Sequence, residues 1–106
     1  MGFFDFLNNS DINQGVVQCK NTPDAVLVDV RERDEYAQGR IPGSRNVPLS
    51  ALQTITEVCA DKGAPLFVYC LSGARSRQAT AQLQSMGYTN VTNIGGISRY
   101  CGELER

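Results

Sequence analysis

The run Leu66-Phe67-Val68-Tyr69-Cys70-Leu71-Ser72-Gly73-Ala74-Arg75-Ser76 constrains the fold of this chain more than any other stretch. An apolar segment of strand length gives way within a few residues to helical spacing. From Arg75 onward Ala79, Leu83 and Met86 fall on one face, and Gly87 stands where the helix should stop. A strand that turns directly into a helix crosses over before it meets its next strand, which builds a mostly parallel sheet covered by helices. Cys70 then sits at a carboxyl strand end, where open α/β sheets bind ligands, and the helix start offers unpaired N–H groups and a positive dipole end. A thiolate suits that place. The free thiol pKa of about 8.5 falls when sulfur faces a helix N-terminus or an arginine.

The remaining segments alternate in the same way. Ala25-Val26-Leu27-Val28 is a buried strand run ending in Asp29-Val30-Arg31, Asn46-Val47 is a short extended piece before Pro48, and Asn90-Val91-Thr92-Asn93-Ile94 is a further strand. Gly95-Gly96 is expected as a turn that brings the last helix beside the Cys70 loop. Helical spacing covers Asn13 to Lys20. Ser50-Ala51-Leu52-Gln53 has the form of a capping box opening a helix to about Ala60, and a final short helix spans roughly Ile97 to Leu104. The fold class is α/β.

Three of the four cysteines fit packing better than chemistry, since free cysteine is commonly a small buried hydrophobe. Cys19 follows Val16, Cys59 follows Leu52 and Ile55, and Cys101 lies between Ile97 and Leu104, all at helical spacing. Cys70 has no such series. With 106 residues, 42% of them hydrophobic, the chain suits one domain, set here at 11–106 behind an extension of residues 1–10. A net charge of -1 leaves no basic field for nucleic acid. The segment Gly2-Phe3-Phe4-Asp5-Phe6-Leu7 is too short and too interrupted for a membrane span or a signal peptide, so a cytoplasmic monomer is expected.

The absence of histidine narrows the chemistry. No Cys-His or Ser-His pair can serve acyl transfer, no histidine-bearing zinc site exists, and no Cys-x-x-Cys dithiol occurs. What remains is a thiolate attacking a centre whose leaving group needs little protonation. Sulfur transfer fits, because exchange at a sulfur–sulfur bond is governed by the leaving group's own stability.

The segments Asp29-Val30-Arg31, Glu35-Tyr36, Gly39-Arg40-Ile41-Pro42-Gly43-Ser44-Arg45-Asn46-Val47-Pro48, Tyr69 to Ser76 and Asn93-Ile94-Gly95-Gly96-Ile97, in this order and spacing, resemble a single-domain rhodanese. The resemblance covers nearly the whole chain from Asp11 onward. It implies a three-layer fold with a central five-stranded parallel sheet, and sulfurtransferase activity through a persulfide at Cys70 with no metal or organic cofactor. It also implies that the backbone N–H groups from Leu71 through Ser72, Gly73 and Ala74 to Arg75 cradle the transferred sulfur. The donor would be thiosulfate or a persulfide, and the acceptor a thiol or a protein. Arg40 stands where the family usually has histidine, Tyr100 near a usual tryptophan, and Leu71 at a position often basic. With no cation at Leu71, a persulfide suits the loop better than a free dianion.

Several side chains near this loop keep two readings. Ser72 and Ser76 either donate to the sulfur anion or cap the helix. Arg75 either pairs with Asp29 or Glu35 and so shapes the loop, or contacts substrate directly, with Asp29, Arg31 and Glu35 as supporting residues. Gly73 supplies a positive φ or a close backbone approach. Two rival functions share the scaffold: a thiol phosphatase or arsenate reductase, and a non-catalytic binding module. Against the first, thiol phosphatases of this design place five residues between cysteine and arginine, and here there are four, Leu71 to Ala74.

Overall fold

In the strand Leu66–Cys70 every residue is buried, and alternate side chains enter two different cores. Leu66, Val68 and Cys70 point into one with Ala79 and Leu83, while Phe67 and Tyr69 point into the other with Ile12 and Val16. This period of two is what a strand between two helical layers requires. The computed structural model describes residues 11–106. Its elements in chain order are α1 (Ile12–Lys20), β1 (Val26–Asp29), α2 (Arg33–Gln38), β2 (Arg45–Asn46), a 3-10 turn (Leu49–Thr54), α3 (Ile55–Val58), β3 (Leu66–Cys70), α4 (Ala74–Ser85), β4 (Val91–Gly96) and a 3-10 turn (Ile97–Arg99). The expected extension 1–10 lies outside the described residues.

The sheet runs β2-β1-β3-β4 with every pair parallel. After β1 the chain moves outward to β2, then returns across β1 to β3. The crossovers therefore diverge at the carboxyl ends of β1 and β3, the switch point where such sheets open a crevice. Asp29 and Cys70 end those two strands. α1 covers one face and α4, with Leu52 and Ile55, covers the other, so the three-layer α/β reading holds.

The expected fifth strand is not found among the described residues, which form four. Each segment joining the described elements is a short turn or is broken by Gly or Pro, and the tail adds only an isolated antiparallel bridge between Arg40 and Glu105. The long helix from Ser50 is also corrected. Ala51 leaves helical geometry (φ -135, ψ 40), and α3 covers only Ile55–Val58. Ser50 does not cap it, because its hydroxyl donates to the Glu32 carboxylate at 3.1 Å. The capping box lies elsewhere, between Glu32 and Glu35 at the head of α2. Leu52 and Ile55 are nonetheless buried, and Cys59 packs partly against the same core.

The last helix stops at Arg99 instead of Leu104. Asn13 holds the tail extended, accepting from the Cys101 N–H at 2.8 Å and donating to the Arg99 carbonyl at 3.1 Å. Paired hydrogen bonds between Arg40 and Glu105 complete the tether. Cys101 is consequently exposed, contrary to the packing expected of it, whereas Cys19 is buried.

Candidate active site

Cys70 is 1% exposed and its sulfur lies under the turn that joins β3 to α4. The turn is tight because Gly73 adopts φ 107, a conformation open to glycine at little cost. Gly73 N–H thereby donates to Cys70 Sγ at 3.0 Å, and the N–H groups of Ser72 and Ser76 add to it. Ser76, wholly buried in the first turn of α4, places Oγ 3.4 Å from Sγ. Burial pushes the Cys70 thiol up, but the Ser76 hydroxyl and these N–H groups outweigh it, and the net shift is downward. Cys19, buried without such donors, is pushed up.

Of the two readings for the serines, capping does not hold for either, since Gly73 is the N-cap of α4 and no side chain caps it. Ala74 opens the helix. Leu71 is 46% exposed and turns outward. Arg75 pairs with Glu35, not Asp29, through two parallel bonds of 2.7 and 3.0 Å. Asp29 is closed on Arg31 instead: Nε and Nη2 of Arg31 reach its carboxylate at 2.7 to 3.1 Å, and Nη2 also donates to Gly39 O. Burial opposes the Arg31 charge, but the Asp29 bonds and charge overcome it and raise its pKa. Asp29 thus fixes Arg31, which lines the cleft beside the loop. Among the described residues no three His, Cys, Asp or Glu side chains come together to hold a metal ion.

Two contributors come from β4, outside the loop itself. Gly95-Gly96 is not a turn but the end of β4, with Gly96 paired to Cys70. A Cβ on Gly96 would collide with Leu71 O and lie 2.6 Å from Ser72 Cα, so the loop backbone rests directly on that residue. Asn93 accepts from Ser76 Oγ at 2.8 Å. The paired glycines carried a signal for close approach; Asn93 carried none, since its role depends on the register of β4. Beside the loop a cleft of about 290 Å³ is lined by Leu71, Ile97 and Leu104 together with Arg31, Glu35, Gln38 and Gly39.

Comparison with known proteins follows the same outline. The family model described as a rhodanese-like domain matches residues 14–103. The chain belongs to the rhodanese family. A protein named sulfurtransferase from Allochromatium vinosum is 40% identical over 93 residues, covering 86% of this chain and 85% of that one. Thiosulfate sulfurtransferase PspE of Escherichia coli is 39% identical over 71 residues, covering 66% of this chain and 68% of that one. Among solved structures, a rhodanese with anions from E. coli superposes with a TM-score of 0.72 at 34% identity, covering 77% of this chain and 98% of that one. The chain spans 64 to 85% of the length of the curated relatives it matches at about 40% identity. Rhodanese membership accounts for the parallel sheet and the strand–Cys–loop–helix unit, on which this chain builds the Arg75–Glu35 and Ser76–Asn93 contacts.

The Arg75–Glu35 pair has a pH signature. The Arg75 hydrogen bonds hold the Glu35 carboxyl down at about 2, against a smaller opposing effect of burial. An unfolded glutamate titrates near about 4.3, so this stabilisation is complete above that pH and is lost as pH falls towards the folded value. Both side chains are about a third exposed, and solvent screening leaves about 1 kcal/mol. Glu35→Gln is expected to lose that much at pH 7 and to match wild type near pH 2 in thermal melts. An equal difference at both pH values would show that the pair is not its source.

Proposed function

We propose that this rhodanese is a sulfurtransferase that carries sulfane sulfur as a persulfide on Cys70. The observation that carries the reading is a thiol with lowered pKa facing converging N–H donors, with no general base beside it. The Cys70 thiolate attacks the outer sulfur of the donor; the donor's sulfur–sulfur bond breaks, and its electron pair leaves with sulfite or a thiolate. An acceptor thiolate then attacks the outer sulfur of the persulfide and regenerates the Cys70 thiolate. Neither leaving group needs a proton, which suits a chain without histidine. Fixed N–H donors aimed at the anionic sulfur contribute about 2–4 kcal/mol each by analogy with oxyanion holes. Relatives named sulfurtransferase support the class of reaction.

The cleft favours persulfide donors over thiosulfate. Its charged groups are already engaged, Arg31 by Asp29 and Glu35 by Arg75, and Leu71, Ile97 and Leu104 supply apolar surface. A free dianion gains little there, while a thiol or protein carrier can bury its body against the leucines. The four-residue loop also leaves room for one sulfur atom and crowds a tetrahedral oxyanion. Incubation with thiosulfate or a low-molecular-weight persulfide should add the mass of one sulfur atom to Cys70, removable by cyanide or dithiothreitol, with the persulfide reacting faster. Aryl phosphate hydrolysis should be negligible. An adduct on another cysteine, or phosphatase turnover without sulfur transfer, would overturn the reading.

A further inference from the structure

Ser76 has one hydroxyl proton and four acceptors within reach. Its Oγ lies 2.8 Å from Asn93 Oδ1, 3.1 Å from Gly73 O, 3.5 Å from Gly95 O and 3.4 Å from Cys70 Sγ. The shortest contact is to Asn93. While sulfur carries its own proton, the Cys70 S–H donates to Ser76 Oγ and the Ser76 O–H donates to Asn93. When sulfur is an anion it has no proton to give, and the hydroxyl must turn towards it to stabilise the charge. Asn93 then gives up the serine but is not stranded, because its Oδ1 also accepts the Gly95 N–H at 3.0 Å. That second bond is fixed by the register shift that brings Gly95, not Ile94, opposite Tyr69.

We propose that Asn93 is a positioning residue that acts through Ser76: it holds the serine proton while Cys70 is neutral and yields it when Cys70 is charged. The functional meaning rests on the sulfurtransferase reading. On ionisation the cysteine proton leaves to solvent, and the serine proton only reorients. In the persulfide the negative charge moves to the outer sulfur, under the loop N–H groups, and the Ser76 hydroxyl returns to Asn93. Each half-reaction therefore flips one hydroxyl. Asn93 sets the balance, since a stronger acceptor there withholds the proton from the thiolate and a weaker one releases it.

Charged groups around Cys70 stay constant in this scheme. They are Arg75 at the head of α4, closed on Glu35 of α2, and the Asp29–Arg31 pair at the end of β1, while β4 presents only Asn93, Ile94, Gly95 and Gly96 at this end. The test is the pH dependence of iodoacetamide alkylation, read on the Cys70 peptide by mass spectrometry. It compares wild type, Asn93→Leu and Asn93→Asp, each with and without Ser76→Ala. Removing the acceptor with Asn93→Leu should raise the thiolate-to-thiol ratio about threefold, and Asn93→Asp should lower it about tenfold. Both effects should fall by at least half when Ser76 is alanine, as coupled residues require. Asn93→Asp keeps the Gly95 bond and the side-chain shape but also repels the thiolate directly, and that part persists when Ser76 is alanine, so the difference between the two Ser76 backgrounds is what remains decisive if Asn93→Leu folds poorly. Folded Asn93 variants with wild-type profiles, or shifts undiminished by Ser76→Ala, would overturn the proposal. No sulfur donor enters this measurement, so failure of persulfide formation would fell the sulfurtransferase reading separately.

Discussion

Cys70→Ser should abolish sulfur transfer, by a factor on the order of 10⁴ or more, as expected for removal of an enzyme nucleophile. A serine hydroxyl at this position stays protonated at neutral pH and offers no usable electron pair to a sulfane sulfur. The fold should survive, because serine occupies less space in the same pocket and keeps Ser76 Oγ as a partner. A loss of about 1 kcal/mol in urea denaturation is expected, within the ordinary range for a single substitution. Cys19→Ala, Cys59→Ala and Cys101→Ala should each retain most activity, since none of the three touches the loop. Cys101 is exposed on the tail, Cys59 bonds weakly to Asp61 O, and Cys19 points from α1 into the core. Wild-type turnover in Cys70→Ser would remove the persulfide mechanism outright.

Gly96→Ala should be the most damaging conservative change outside the loop itself. Its methyl group would meet backbone, namely Leu71 O, Ser72 Cα at 2.6 Å and Leu71 C at 2.8 Å, and backbone atoms cannot swing aside as a side-chain tip can. Either β4 parts from β3 at the Cys70–Gly96 pair or the loop lifts from its seat. Overpacking of this kind costs about 3 kcal/mol. Displacing the loop N–H groups by about 1 Å should lower the rate of sulfur transfer by about 10²-fold even in molecules that remain folded. Gly43→Ala provides the contrast: at φ 85 with nothing within 4 Å of the added atom, it should cost about 1 kcal/mol through backbone strain alone and leave activity intact. A Gly96→Ala protein as stable and active as wild type would show that the loop does not rest on β4.

What could be read from the chain follows from the range of the forces involved. The strand ending at Cys70 and the helix beginning beside Arg75 are set by local periodicity, and the structure places them within a residue of expectation. The rhodanese pattern made the topology legible except for the strand count. Ser50 misled because a serine followed by glutamine three residues on describes a capping box only when no stronger acceptor is near, and Glu32 is such an acceptor. The carboxyl-terminal segment misled because its conformation is decided by Asn13 and Arg40, partners 88 and 65 residues away. Asn93 belongs to the rhodanese-like pattern, yet its contact with Ser76 depends on a register shift that no spacing along the chain reveals.

The parallel pairing around β3 bears on when the chain becomes reactive. Glu35 and Arg75, which clamp the loop, are forty residues apart, and β1 and β4 must both dock on β3 before the turn acquires its shape. Non-local pairings of this kind are late events in folding, because loop closure must precede the contacts that reward it. Until then Cys70 is an ordinary thiol with an ordinary pKa of about 8.5, mostly protonated at neutral pH. On the proposed persulfide mechanism, a nascent or partly unfolded molecule therefore takes up sulfane sulfur more slowly than the folded one, and the reactivity of this one atom reports completion of the whole sheet.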